Sequence, residues 1–162
     1  MKRIFIIRHA KSDHGLQYQR DFDRPLNGRG RADARKMAAI LKKEVDFLDR
    51  LLVSSAKRTS ETAQFFIDDF DIDPDFVTYT EQLYLPAVSD IWAELSRLEQ
   101  EAKQVAVFTH NPAAALLLNQ YRPYAKLPTC SILEFRFDQA GWSELESDKV
   151  HFISHKYPRM YD

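Results

Sequence analysis

The sequence predicts an α/β fold: a three-layer sandwich whose mostly parallel sheet carries helices on both faces and ends in an antiparallel hairpin. Three observations carry this expectation. Short apolar, β-branched runs recur at 4–7, 51–53 and 105–108, and each stops at small or polar residues. Such runs mark strands buried on both faces. The segments between them place apolar residues at helical spacing, and strands that alternate with helices favour parallel pairing through crossovers. Near the end, 131–137 alternates with the two-residue period of a half-buried strand.

The elements follow in order. Ile4-Phe5-Ile6-Ile7 ends in Arg8-His9-Ala10-Lys11-Ser12, and 13–24 reads as a polar loop of mixed charge. Asn27 is suited to cap a helix, in which Ala34, Met37, Ala38 and Leu41 share one face while Arg29, Arg31, Arg35 and Lys36 form a solvated one. A second helix is predicted over 56–70, capped by Ser54 or Ser55, with Arg58 and Thr62 one turn apart near its start. After an acidic turn over 68–74, 76–80 reads as a strand, with Glu81 directly behind it. Ile91, Leu95, Leu98 and Ala102 predict a helix over about 89–102. Asn111 then suits an N-cap and Pro112 a first helical turn, leading a buried helix over 113–120. The closing hairpin is expected from 131–137, a turn at Gln139-Ala140-Gly141, and a returning strand over 142–145. The segment 151–155 reads as a last strand or an irregular tail.

With 162 residues the chain is expected to form one domain, 1–162, with a substantial core. A net charge of −1 gives no bulk attraction to nucleic acid or to an anionic membrane, so neither is an expected partner. The single cysteine, Cys130, excludes an internal disulfide and a cysteine metal cluster. The first apolar run is too short for a signal peptide, and no stretch approaches the ~20 residues of a membrane span. A cytoplasmic location is therefore expected.

Three strand ends carry, in order, Arg8-His9, the turn from Ser54 to Arg58, and His110. Ligands in open α/β sheets bind beyond the carboxyl ends of the strands. Two arginines and two histidines gathered there suit a phosphoryl group, since the guanidinium fork matches phosphate oxygens. These residues resemble the histidine phosphatase superfamily, which includes the phosphoglycerate mutases. Its opening Arg-His-Gly stands here as Arg8-His9-Ala10, its Ser-x-x-x-Arg-x-x-x-Thr as Ser54, Arg58 and Thr62, and its second histidine motif as Thr109-His110-Asn111-Pro112. Pro25-Leu26-Asn27-x-x-Gly30 is similar to the family's Pro-Leu-Thr-x-x-Gly. The nearest resemblance is to the small phosphohistidine phosphatases of the SixA type. Ala10 departs from the family glycine, and His14-Gly15 replaces the Trp-Asn of the mutases, which counts against mutase activity.

The resemblance implies a hydrolase that uses no metal and no cofactor and works through a phosphohistidine. His9 would be the nucleophile, and Arg8, Arg58 and His110 would hold the phosphoryl oxygens. Glu81 would be a general acid, or otherwise a solvated carboxylate. Lys11, Ser12 and Asn111 join Arg8 and Arg58 as candidate substrate contacts. Imidazole leaves more readily than an alkoxide, so a protein phosphohistidine is the favoured substrate. Small phosphomonoesters are the alternative, and a non-catalytic phosphate-binding module is the contrasting reading. The oligomeric state is left open.

Overall fold

The computed structural model describes residues 1–15, 17–18 and 20–162. Leu16 and Gln19, part of the loop expected over 13–24, lie outside the described residues. β1 (Lys2–Arg8), β2 (Arg50–Ser54), β3 (Val77–Thr80), β4 (Gln104–Thr109), β5 (Ile132–Phe137) and β6 (Val150–Lys156) form one sheet in the order β3-β2-β4-β1-β5-β6. The β3-β2, β2-β4 and β4-β1 pairs are parallel, and β5 runs antiparallel to both β1 and β6. Four helices cover the faces: α1 (Gly28–Glu44), α2 (Lys57–Phe70), α3 (Val88–Ser96) and α4 (Ala113–Asn119). The predicted α/β sandwich is the observed architecture.

Alternation along the buried strands divides the core between the two sheet faces. Phe5, Ile7, Leu51, Val53, Ala106 and Phe108 pack with Ala34, Met37, Leu41, Ala63 and Phe66 of α1 and α2. Ile4, Ile6, Leu52, Val105 and Val107 pack with Ile91 and Leu95 of α3 and Leu117 and Leu118 of α4. Continuous apolar runs in these strands are the sequence trace of that two-sided burial.

Several local expectations change. The loop over 13–24 contains a 3₁₀ turn at Asp21–Asp23. Neither Ser54 nor Ser55 is the N-cap of α2; Ala56 holds that position, and the Ser54 hydroxyl lies against His110 instead. α3 stops at Ser96, after which the Leu98 amide bonds Leu95 and the Ala102 amide bonds Glu99, tight turns that deliver Ala102 to β4. The returning strand of the hairpin is β6, not 142–145. Trp142 instead begins a 3₁₀ turn, with its ring buried and its indole N–H donating to Ala102 O at 2.8 Å. Among the described residues, no helix is long and apolar enough to cross a membrane.

Candidate active site

β1, β4 and β2 are neighbours, and their parallel register sets Arg8 beside Thr109 and Val53 beside Phe108. Each chain leaves the sheet one residue later, so His9, His110 and the Ser54–Arg58 turn emerge side by side. His9 is anchored by its backbone: its N–H donates to Thr109 O at 3.1 Å, and its carbonyl accepts from Cys130 N at 3.0 Å. The His9 and His110 ring centroids are 5.2 Å apart.

The His9 ring has one orientation consistent with its contacts. Nδ1 lies 2.7 Å from Ala10 O, and a carbonyl only accepts, so Nδ1 carries the proton. Nε2 is then a lone-pair nitrogen, and it accepts from Arg58 Nε at 3.3 Å. Burial, reinforced by the Arg58, Arg8 and Arg24 cations and opposed by the bond to Ala10, pulls the His9 pKa down to about 3. The same fate meets His110, lowered to about 3 by burial and then by His9 and Arg58. Both imidazoles are neutral at pH 7.

The arginines surround them. Arg8 Nη1 donates to Leu127 O at 2.9 Å, while Arg8 Nε is buried without a partner among the described residues. Arg58, from the first turn of α2, is 3% exposed and places Nη1 on Asp21 O and Nη2 on Asp21 Oδ2, each at 2.8 Å. Asp21 also accepts from Tyr84 OH at 2.7 Å and from Arg24 Nε at 3.0 Å. Burial would push this carboxyl up, but the bonds from Tyr84, Arg24 and Arg58 outweigh it and hold Asp21 well below the usual carboxylate range. Two guanidiniums, Arg24 and Arg58, pair with Asp21 while Arg8 pairs with no carboxylate among the described residues, and the basic side chains lining the cavity outnumber the acidic ones, an excess of positive charge suited to a phosphoryl dianion.

Helix α1 and the β1 loop are fitted to one another. Asn27 caps α1 by accepting from Gly30 N at 2.8 Å, and its own amide donates to Lys11 O at 3.0 Å. A Cβ on Gly30 would stand 1.9 Å from Lys11 O, so only glycine permits this approach. From the other side, Thr62 accepts the Ala10 N–H at 3.0 Å and donates to Arg58 O at 2.7 Å. These contacts give the Pro-Leu-Asn-x-x-Gly and Arg-x-x-x-Thr spacings a structural meaning.

Arg8, His9, Lys11, Ser12, Arg58, His110 and Asn111 all line one open cavity of about 920 Å³. Ser12 is buried and accepts from Arg24 Nη1 at 2.6 Å. Lys11 is exposed at the rim. Asn111 Oδ1 accepts from Ala115 N at 3.2 Å, so its side chain caps the start of α4, whose N-cap position belongs to Pro112. Of the two expectations for Glu81, its surroundings match the solvated carboxylate. It is an exposed residue that heads a 3₁₀ turn and lines a second cavity, of about 310 Å³, with Arg20, Asp21, Phe22 and Tyr84. The cavity carboxylate that pairs with Arg24 and Arg58 is Asp21. Sequence reading passed over Asp21, Arg24 and Tyr84; the signal was the acidic-then-basic i, i+3 pair just ahead of Pro25.

The family model of the histidine phosphatase superfamily (branch 1) matches residues 4–79, and His110 lies beyond that match. A chloroplastic protein of Arabidopsis thaliana is 45% identical over 62 residues, 38% of this chain, and the match spans only 28% of that protein's length. The uncharacterized protein ML1117 of Mycobacterium leprae is 28% identical over 94% of this chain and 100% of its own. Among solved structures, the protein histidine phosphatase SixA complexed with tungstate aligns with a TM-score of 0.81 at 25% identity, covering 99% of both chains. The family match falls on the β1 motif and the Arg58 turn, and the structural match extends through the rest of the sheet. The chain thus matches the histidine phosphatase superfamily model over residues 4–79, just under half of its length, and over nearly all of its length it is similar in fold to the SixA structure.

Proposed function

We propose that the protein hydrolyses phosphohistidine on a protein substrate, through a transient phosphohistidine of its own at His9. The observation that carries this is the His9 imidazole, neutral, with Nδ1–H fixed on Ala10 O and the Nε2 lone pair beside Arg58. Nε2 attacks phosphorus in line as the P–N bond to the substrate imidazole breaks, and that imidazole takes a proton from solvent. Water then attacks the His9-bound phosphorus, breaking the P–Nε2 bond and releasing inorganic phosphate. Covalent capture divides one hard displacement into two easier ones. Arg8, Arg58 and His110 hold the oxygens on which charge is spread in each transition state.

The substrate class follows from the carboxylates. An alkoxide needs a proton as it leaves, whereas an imidazole, with a pKa of about 6.5, does not need a strong acid at its side. Asp21 is held ionised by three donors, which makes it a poor acid, and Glu81 opens onto the smaller cavity. A cavity of about 920 Å³ with an open mouth also has room for a protein segment. A SixA structure in complex with tungstate, an oxyanion of phosphate-like shape, supports the same reading of the cradle.

The decisive experiment is rapid quenching of turnover with a phosphohistidine peptide. Acid-labile phosphate on His9 is expected, and its absence from a turning-over enzyme overturns the mechanism. His9→Ala is expected to remove activity, and the phosphohistidine peptide to outpace an alkyl phosphate by at least about a hundredfold in kcat/KM, some 3 kcal/mol of barrier. Glu81→Gln should leave the peptide rate within about twofold.

A further inference from the structure

Ser54 closes β2, is fully buried, and sets its Oγ 2.8 Å from His110 Nε2. The other ring nitrogen, Nδ1, is buried with no hydrogen-bond partner among the described residues. A neutral imidazole has one N–H and one lone pair, and which nitrogen carries the proton is set by the bond that the other makes. Two arrangements are therefore open, and they leave different groups unpaired.

In the first, the Ser54 hydroxyl donates to the Nε2 lone pair. Ser54 Oγ already receives the Ala56 N–H at 3.4 Å, so it has an acceptor role filled and a proton to give. The one group left over is then Nδ1–H, a donor on a residue that lines an anion cavity. In the second, Nε2–H donates to Ser54. The hydroxyl proton then has no acceptor among the described residues, and the Nδ1 lone pair is buried without a donor. That lone pair would also repel phosphoryl oxygens. The second arrangement leaves two buried groups unpaired and the first leaves one, so the first is preferred. Tyr84 meets the His110 ring edge-on at 5.3 Å between centroids and 86° between planes, which restrains the ring from turning over.

We propose that Ser54 is a positioning residue that fixes the tautomer of His110, so that His110 presents Nδ1–H to a phosphoryl oxygen. The two histidines then carry complementary halves of the chemistry. His9 is locked by Ala10 O so that Nε2 keeps its lone pair, which a phosphoryl group would take over from Arg58 Nε–H, and His110 is locked by Ser54 with its proton on Nδ1. Burial keeps His110 neutral, which is why a tautomer lock is required rather than a simple imidazolium. The role rests on the phosphatase reading, but the tautomer does not.

The test uses the full chain with ¹⁵N-labelled histidines. In the wild type, His110 should show a protonated Nδ1 and an unprotonated Nε2; the reverse pattern overturns the proposal whatever any variant does. Ser54→Ala should shift His110 toward the Nε2–H form and lower kcat/KM on a phosphohistidine peptide by about tenfold to a hundredfold, the scale of a weakened oxyanion donor. In a His110→Ala background the same substitution should cost less than about twofold, because Ser54 acts through His110. Independent, multiplying losses in that cycle would instead assign Ser54 a packing role and overturn the positioning claim. If the wild type turns over neither the peptide nor an ester, the phosphatase reading fails, while the histidine spectrum still decides the tautomer.

Discussion

Asp21 and Arg58 show how much of this site depends on one carboxylate that never needs to touch substrate. Asp21 takes one N–H from each Arg58 Nη atom, which sets the guanidinium plane so that Nε–H faces His9 Nε2 and one N–H on each Nη is left for a ligand. Asp21→Asn should therefore lower kcat about tenfold while inorganic phosphate binds no more weakly, since a negative charge near the dianion is also removed. A large rise in the phosphate dissociation constant with kcat unchanged would contradict this. At the same scale, the motif residues Arg8, His9, Arg58 and His110 were legible because their chemistry recurs in order along the chain. Asp21 and Arg24 were not, because a polar segment of mixed sign conceals an i, i+3 pair until the backbone shows that it turns. Glu81 carried two readings that only its placement separates. It directly follows β3, but β3 is an edge strand, and its end opens toward the smaller cavity rather than the central one.

Elements meet at the loop after β1. α1 presses Gly30 against Lys11 O, and α2 reaches Ala10 N with Thr62. Gly30→Ala forces a methyl group onto a backbone oxygen, so a loss of about 1–3 kcal/mol is expected. Calorimetry would check it, and an unchanged melting temperature would mean that the loop yields freely. Thr62→Val keeps the volume but leaves the buried Ala10 N–H unpaired, and the expected cost is again about 1–3 kcal/mol. The strands of the buried sheet and the caps at Asn27 could be read from sequence because local rules dictate them. The final hairpin could not. Trp142 follows a plausible turn, yet its indole finds Ala102 O, a partner 40 residues away. The true return, β6, has a bulged register opposite Glu134 and Phe135 that blurs its alternation. α3 likewise ended early because tertiary turns, not helical periodicity, bring Ala102 into the core.

For the whole molecule, the buried histidines tie stability to pH. His9 and His110 are lowered to about 3 and His155 to about 4, all by burial first. A histidine whose folded value lies below its unfolded value of about 6.5 binds more protons when unfolded. Stability conferred by keeping it neutral is thus present above about pH 6.5 and is lost as pH falls toward 4. Each such group contributes a slope of up to ~1.4 kcal/mol per pH unit in that window. Denaturant midpoints should fall from pH 7 to pH 5, and a flat profile would show that the rings protonate without unfolding. His9→Asn should flatten the acid slope without abolishing it, since two other rings remain.

The position of β1 has a consequence for how the enzyme comes into being. β1 is the first strand made, yet it lies between β4 and β5, paired along its length with residues about a hundred or more positions later. His9 at its end is fastened by Thr109 and Cys130 and faced by His110. A nascent chain that already displays the Arg-His motif and the Arg58 turn therefore has no working site, and folding must wait for long-range closure. Catalytic competence arrives late and all at once, when β4 and β5 enclose a strand that has been present from the start.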